Sequence, residues 1–149
     1  MSPLVFTDVA VLDTSIPEVN ELTGLTPADG ELAATAVDEL VIVFSENVRA
    51  VGGNLILRDF NTLDVVETIS VTNVSRTTIV DNVVTFSLTS VLEKGTKFFV
   101  TIPSTTFEDF GGNDWDTGLS GAGSWSFTTA DATNPIIVDF SPVNNDPGA

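Results

Sequence analysis

One nine-residue segment of the chain concentrates side chains that bind hard cations. It carries four carboxylates and one amide, from Glu108, Asp109, Asn113, Asp114 and Asp116. Calcium takes about six to eight oxygen ligands in flexible geometry, which suits such a segment. Asp114, Asp116 and Gly118 are similar to a fragment of a DxDxG calcium loop, and residues 111–116 approach GGxGxD with Asp in place of its third glycine. The alternative is a solvated acidic loop on a very acidic protein.

The composition excludes several other kinds of site. The chain has 149 residues, with 21 Asp plus Glu against 5 Lys plus Arg, a net charge of −16, and neither His nor Cys. A phosphate-backbone binder needs clustered cations, so we expect no nucleic-acid partner. The absence of His and Cys removes the usual general base, the thiol nucleophile, zinc ligands and disulfides. Calcium is therefore the cofactor that this composition favours.

Catalysis has little support in the sequence. No GxSxG elbow or phosphate-cradling loop is present. A carboxylate pair such as Glu46 and Asp109 could in principle hydrolyse a glycoside, but nothing in the sequence marks either as an acid of raised pKa. We predict that the protein is not an enzyme.

The elements that must position these residues are predicted to be strands. Val, Ile and Thr make up about a third of the chain, and β-branched residues fit a pleated surface. Strand-length apolar runs lie at 19–26, 39–45, 54–59, 65–71, 77–80, 83–88, 97–102 and 124–129. Asp81-Asn82 suits a tight hairpin turn, Asn61-Thr62 a weaker one, and residues 91–94 a short helical turn. Seven or eight strands predict an all-β fold, a two-sheet antiparallel sandwich.

Two short matches recur along the chain at nearly one spacing. Residues 16–19 (Ile-Pro-Glu-Val) recur as residues 134–137 (Asn-Pro-Ile-Ile), and residues 5–8 (Val-Phe-Thr-Asp) recur as residues 126–129 (Ser-Phe-Thr-Thr). The spacing indicates a repeat of about 120 residues that the chain cuts at both ends. We therefore predict a preceding repeat's tail and linker in 1–15, one domain in 16–130, and a linker with the next repeat's start in 131–149. Neighbouring repeats are the expected partners, and the excised piece is expected to be a monomer.

An ordered series of motifs resembles the bacterial immunoglobulin-like domains of the S-layer protein type, found in tandem in surface-layer proteins and large adhesins. The series consists of residues 26–30 (Thr-Pro-Ala-Asp-Gly), 44–48 (Phe-Ser-Glu-Asn-Val), 53–57, 92–100, 109–113 and 125–129. Phe98 or Phe99 stands where a tyrosine is usual. The resemblance implies an immunoglobulin-like antiparallel β-sandwich of seven to eight strands, located outside the cell or on its surface. It also implies a structural or adhesive role without catalysis.

In an immunoglobulin-like strand order, three acidic segments meet at one end of the sandwich. They are the loop at 46–53, the long loop at 103–123 and the linker by which the chain arrives. We expect Asp13, Glu46, Asp109, Asn113, Asp114 and Asp116 to converge there. A divalent cation removes the repulsion among unpaired carboxylates and orders the linker, an arrangement analogous to that of cadherins. We predict one or more calcium ions at this domain junction.

Two tryptophans raise the question of carbohydrate binding. Trp125 opens an apolar strand, so we expect it in the core. Trp115 lies inside the acidic segment, where we expect it to be exposed or packed on a neighbouring domain and able to contact a glycan.

The leading hypothesis is a structural spacer module of a tandem-repeat bacterial surface or secreted protein, stiffened by calcium near domain junctions. The alternative is a module that recognises a glycan or a host surface protein through the acidic loops. No apolar run approaches the roughly 18 residues that span a bilayer, so we expect no membrane insertion.

Overall fold

Alternation of buried and exposed side chains builds the strands of this protein. In β8 (Val83–Ser87), Val84 and Phe86 are buried while their neighbours face outward. The computed structural model describes residues 13–18 and 24–131, and within them the protein has eleven strands and one short 3-10 helix, Ser104–Thr106. The other strands are β1 (Leu25–Thr26), β2 (Glu31–Ala34), β3 (Glu39–Val43), β4 (Val48–Ala50), β5 (Asn54–Asp59), β6 (Val65–Ser70), β7 (Thr77–Val80), β9 (Lys97–Thr101), β10 (Phe107–Asp109) and β11 (Ser126–Thr129).

The described strands form two large sheets and a small ribbon around one apolar core. The first sheet has the order β1-β3-β8-β7, the second has the order β2-β11-β9-β5-β6, and β4 pairs with β10. Leucine, isoleucine, valine and aromatic side chains fill the space between them. The prediction of an all-β, immunoglobulin-like sandwich is confirmed. No helix among the described residues is long and apolar enough to cross a membrane.

Each of the eight predicted runs contains an observed strand, although residues 19–23 of the first lie outside the described part of the chain. Strands β2, β4 and β10 add to that set. They are three or four residues long, and none contains an apolar run of strand length. β2 also pairs with β11 in parallel, unlike the antiparallel pairs around it. The segments at 5–8 and 134–137, on which the repeat prediction depends, lie outside the described residues.

Two of the local predictions have different outcomes. The hairpin is confirmed, because β7 and β8 pair from Val80 and Val83 outward and Asp81 takes a φ of 56°. The short turn expected near 91–94 is displaced, because the structure has a turn at Lys94-Gly95 and no helix at 91–94. The backbone carbonyls of Glu93 and Lys94 accept hydrogen bonds from the hydroxyls of Thr129 and Thr96. These contacts tie the segment to neighbouring strand ends instead of to a helical turn of its own.

Strand register defines the two ends of the sandwich. Glu39 lies opposite Ser87 and Val43 lies opposite Val83, so the start of β3 and the end of β8 share one end. We call this end the exit pole, formed by 35–38, 88–96 and 129–131, because β11 also finishes there. We call the opposite end the linker pole, formed by 13–18, 44–47 and 107–114.

An ion pair between a buried glutamate and a half-buried arginine joins the two large sheets at their sides. Glu67 of β6 pairs with Arg76, which precedes β7, and Arg76 Nε donates to the Ser87 carbonyl at 2.8 Å. The other Glu67 oxygen accepts the backbone N–H groups of Thr89 at 2.8 Å and Ser90 at 2.6 Å. Burial raises the pKa of Glu67, but these hydrogen bonds and the Arg76 charge outweigh it, so the pKa lies below its ordinary value. Glu67 is therefore held as a carboxylate.

Candidate metal centre at the linker pole

Three carboxylates from distant parts of the sequence meet at the linker pole. Glu46 lies in the loop between β3 and β4, and Asp109 ends β10, where it pairs with Val48 at the start of β4. Asp13 arrives from the linker. One carboxylate oxygen from each of the three residues lies within 4.8 Å of the others. The β4–β10 pairing thus places Asp109 beside the Glu46 loop.

Asp109 is the buried, fixed member of the group. Its side chain is 1% exposed, and Oδ1 accepts backbone N–H groups from Gly111 at 2.9 Å and Asn113 at 2.8 Å. The Asn113 amide donates to Oδ2 at 3.0 Å. Burial raises the pKa of Asp109, but the hydrogen bonds from Asn113 and Gly111 outweigh it and lower the pKa below its ordinary value. The carboxylate form of Asp109 is therefore favoured, and the hydrogen bonds hold it in a fixed orientation.

The charged form of Glu46, another carboxylate of this group, is disfavoured in the folded protein. Burial, followed by the charges of Asp109 and Asp13, raises its pKa above the ordinary value. A raised carboxylate pKa means that the folded protein disfavours the charged form. A cation bound among the three groups would reverse this effect, because it would stabilise each negative charge.

Asp13 is held on the domain by two contacts. The Asn113 amide donates to the Asp13 backbone carbonyl at 2.8 Å. The Asp13 side chain lies so close to Gly111 that a Cβ atom built there would stand 2.6 Å from Oδ2 and 2.7 Å from Cβ. Only glycine fits at position 111 with the linker in this place. Neither contact could be foreseen from the sequence, although the Gly-Gly-Asn run marked the segment.

Asp114 and Asp116, the two other predicted ligands, lie outside this carboxylate group. Both are exposed, whereas Trp115 between them is buried. In an extended segment, side chains alternate in direction, so burial of the tryptophan turns both aspartates to solvent. Alternation also separates Glu108 from Asp109: Glu108 pairs instead with Arg49, whose Nε lies 2.7 Å from Oε1.

The expected exposure of Trp115 is wrong. Its side chain is 1% exposed and packs edge-on against Phe44, with ring centroids 5.0 Å apart, and also contacts Phe107. An apolar slot beneath the acidic loops accounts for this burial, and it leaves no flat face for a sugar. Among the described residues, Trp115 Nε1 has no hydrogen-bond partner. Trp125 is buried as expected, and its Nε1 donates to the Pro27 carbonyl at 2.7 Å.

Comparison with known proteins agrees with this architecture. Residues 13–129 match the family model described as bacterial Ig-like domain, and the match includes every strand described above. A search of the curated proteins gives no match. Bacterial Ig-like domains are generally non-catalytic and typically occur in surface or extracellular proteins. Since the match covers more than half of the chain and the fold agrees with it, the protein belongs to the bacterial Ig-like domain family.

Proposed function

We propose that this protein is a non-catalytic spacer module of a tandem-repeat bacterial surface or secreted protein of the adhesin or S-layer type, and that calcium stiffens its junction with the preceding repeat. One observation carries the calcium part of the proposal. A linker carboxylate, from Asp13, lies within 4.8 Å of two carboxylates of the folded domain, Glu46 and Asp109.

The geometry links cation binding to linker position. Asp13 precedes every described strand, whereas Glu46 and Asp109 belong to the β3–β4 loop and β10. A cation that needs all three carboxylates binds only when the linker lies on the domain. Binding therefore stabilises that position by the free energy of cation association. A linker fixed in this way limits the range of angles between successive modules.

The donor set favours calcium over other metals. All three groups are carboxylates, which are hard oxygen ligands, and the chain has no His or Cys to attract zinc or copper. Three residues from separate segments give an irregular set of oxygens. Calcium tolerates irregular coordination, while magnesium demands near-octahedral geometry and dehydrates reluctantly.

The direct test is the melting temperature of the 149-residue chain in EDTA, in calcium and in magnesium at constant ionic strength. At a calcium concentration 100 times Kd, the folded state gains about 2.7 kcal/mol, so we expect a clear calcium-specific rise in Tm. Asp109→Asn and Glu46→Gln should abolish the rise. Asp64→Asn removes an exposed carboxylate from the β5–β6 connection and should leave it unchanged.

Two outcomes would count against the calcium part of the proposal. Equal shifts with both cations would indicate general screening of the negative charge. No shift with either cation would leave a spacer that works without metal.

The stiffening itself is tested by hydrogen exchange at residues 14–18. We expect calcium to slow exchange there in the wild-type chain, because the docked linker must leave the domain before its amides open fully. Asn113→Ala removes the side-chain donor to the Asp13 carbonyl, and it should raise exchange at 14–18 even with calcium present. Unchanged exchange on adding calcium would contradict a role in ordering the linker.

A further inference from the structure

An apolar groove of about 400 Å³ lies at the exit pole. Val37, Leu88 and Val91 contribute to its walls, and Val91 is 98% exposed. Ala130, next to the last described residue, also lines it. The described part of the chain thus ends at the rim of the groove, and the described residues leave this apolar surface open.

The groove is neutral in a strongly acidic protein. Asp38 and Lys94 are the two charged residues among the described residues that line it. The chain as a whole carries a charge of −16, which repels other copies from most of its surface. The lining of the groove therefore carries no net charge, and the acidic residues of the exit pole outside it are Glu93 and Asp131, so a second acidic domain meets less repulsion here than at the linker pole.

The linker pole carries a complementary projection. Phe110 follows β10 and is 67% exposed, and the Arg49 guanidinium carbon lies 5.7 Å from the centroid of its ring. Arg49 also pairs with Glu108. An exposed aromatic residue beside an arginine is a common anchor of protein interfaces, and this one stands next to Gly111, against which the linker packs.

We propose that the exit-pole groove receives Phe110 of a second copy of the module, so that modules contact each other head to tail. This inference rests on the proposed tandem arrangement, because successive repeats bring one module's exit pole to the next module's linker pole. Such a contact uses two different surfaces and repeats from unit to unit without closing. Arg49 and Glu108 beside Phe110 match the opposite charges of Asp38 and Lys94 at the groove. The contact is small, so between separate chains it forms only transiently, and the tests below use trapping and titration, which detect transient contacts.

Disulfide trapping tests the contact with the full 149-residue chain, which has no cysteine of its own. Asn47→Cys places a thiol two residues before Arg49 on the linker pole, and Val91→Cys places one at the rim of the groove. Val74→Cys, in the exposed loop between β6 and β7, is the control. All three positions are exposed, so folding should be preserved.

In EDTA, we expect the pair Asn47→Cys with Val91→Cys to form a disulfide heterodimer about tenfold faster than Asn47→Cys with Val74→Cys. Adding Phe110→Ser to the Asn47→Cys chain should reduce the first rate to the control rate. Equal rates for the two pairs, or a rate that does not respond to Phe110→Ser, would overturn the proposal. So would a dominant Asn47→Cys homodimer.

An NMR titration of labelled chain with unlabelled chain gives a second measurement without cysteines. We expect shifts at Val37 and Val91 that disappear when the unlabelled partner carries Phe110→Ser, and their absence with the wild-type partner would overturn the proposal. Both experiments are run without calcium, so their failure is separate from failure of the calcium site, which the melting temperature reports.

Discussion

The two poles of the domain differ in how they hold charge. At the linker pole, Asp13, Glu46 and Asp109 are drawn together by hydrogen bonds and β4–β10 pairing, and burial, followed by the charges of Asp109 and Asp13, raises the pKa of Glu46. At the exit pole, Asp38 and Lys94 balance each other around an apolar groove. A chain with one charged end and one apolar end has a direction, which is what a head-to-tail array of identical units requires.

The largest effect is expected from the aromatic core below the linker pole. Trp115→Ala should destabilise the domain by about 3–5 kcal/mol in urea unfolding, because a buried ring is replaced by a cavity. The calcium response should weaken with it, since Phe44 and Phe107, which support the acidic loops, lose their packing partner.

Replacing each buried tryptophan by phenylalanine separates the contribution of packing from that of the indole hydrogen bond. Trp115→Phe and Trp125→Phe remove the same atoms from buried sites. Trp125→Phe also leaves the Pro27 carbonyl without its donor, an added cost of about 1–3 kcal/mol, whereas Trp115 Nε1 has no partner among the described residues. Equal destabilisation by the two substitutions would show that the Trp125 hydrogen bond contributes little.

Two glutamates with opposite pKa shifts predict opposite dependence of stability on pH. Glu67 has a lowered pKa, so its contribution is present above the unfolded value near 4.5 and is lost as pH falls through the folded pKa. Glu46 has a raised pKa, so stability falls as pH rises from the unfolded value near 4.5 through the folded pKa.

The measurement is the free energy of unfolding in EDTA between about pH 3 and pH 7. At neutral pH, Glu67→Gln should lose about 1–3 kcal/mol relative to wild type, because buried donors lose a charged acceptor. Glu46→Gln should be more stable than wild type at neutral pH, and this gain should vanish in acid. Glu93→Gln, at an exposed site, is the control. If Glu67→Gln and Glu46→Gln changed the free energy of unfolding in the same direction at neutral pH, the opposite pKa shifts of the two glutamates would be refuted.

A substitution with a smaller expected effect tests the contact between the linker and the domain. Gly111→Ala introduces a Cβ that overlaps the Asp13 side chain, so we expect the linker to move away and the calcium-specific rise in Tm to shrink. The domain itself should lose at most about 1–3 kcal/mol, the usual cost of overpacking. Gly123→Ala is the matched control, because a Cβ there meets open space. A full calcium response in Gly111→Ala would show that Asp13 is dispensable.

The sequence predicted the strands more accurately than the candidate metal site. Short apolar runs located strands such as β5 and β7 to the residue, and in β5 the alternation of buried Leu55 and Leu57 with their neighbours reports one buried face directly. They could not locate β2, whose exposed residues are ordered by pairing with β11 rather than by burial. Loop placement in an immunoglobulin-like order anticipated that Asp13, Glu46 and Asp109 would meet. Loop placement could not predict that Trp115 is buried and that Asp114 and Asp116 therefore point to solvent. The slot beside Phe44 that receives Trp115 forms only when the chain folds.

The position of β11 between β2 and β9 determines how the domain bears tension. A pull on the chain beyond residue 131 acts along β11 and shears two hydrogen-bond ladders at once, one parallel and one antiparallel. A pull on the linker meets less resistance. There the described hydrogen bonds to the domain are the two between Glu18 and Ser45 and the Asn113 bond to Asp13. Under load, the linker would peel from the domain before the sandwich opens, and the protein would lengthen by a few residues while its core stays folded.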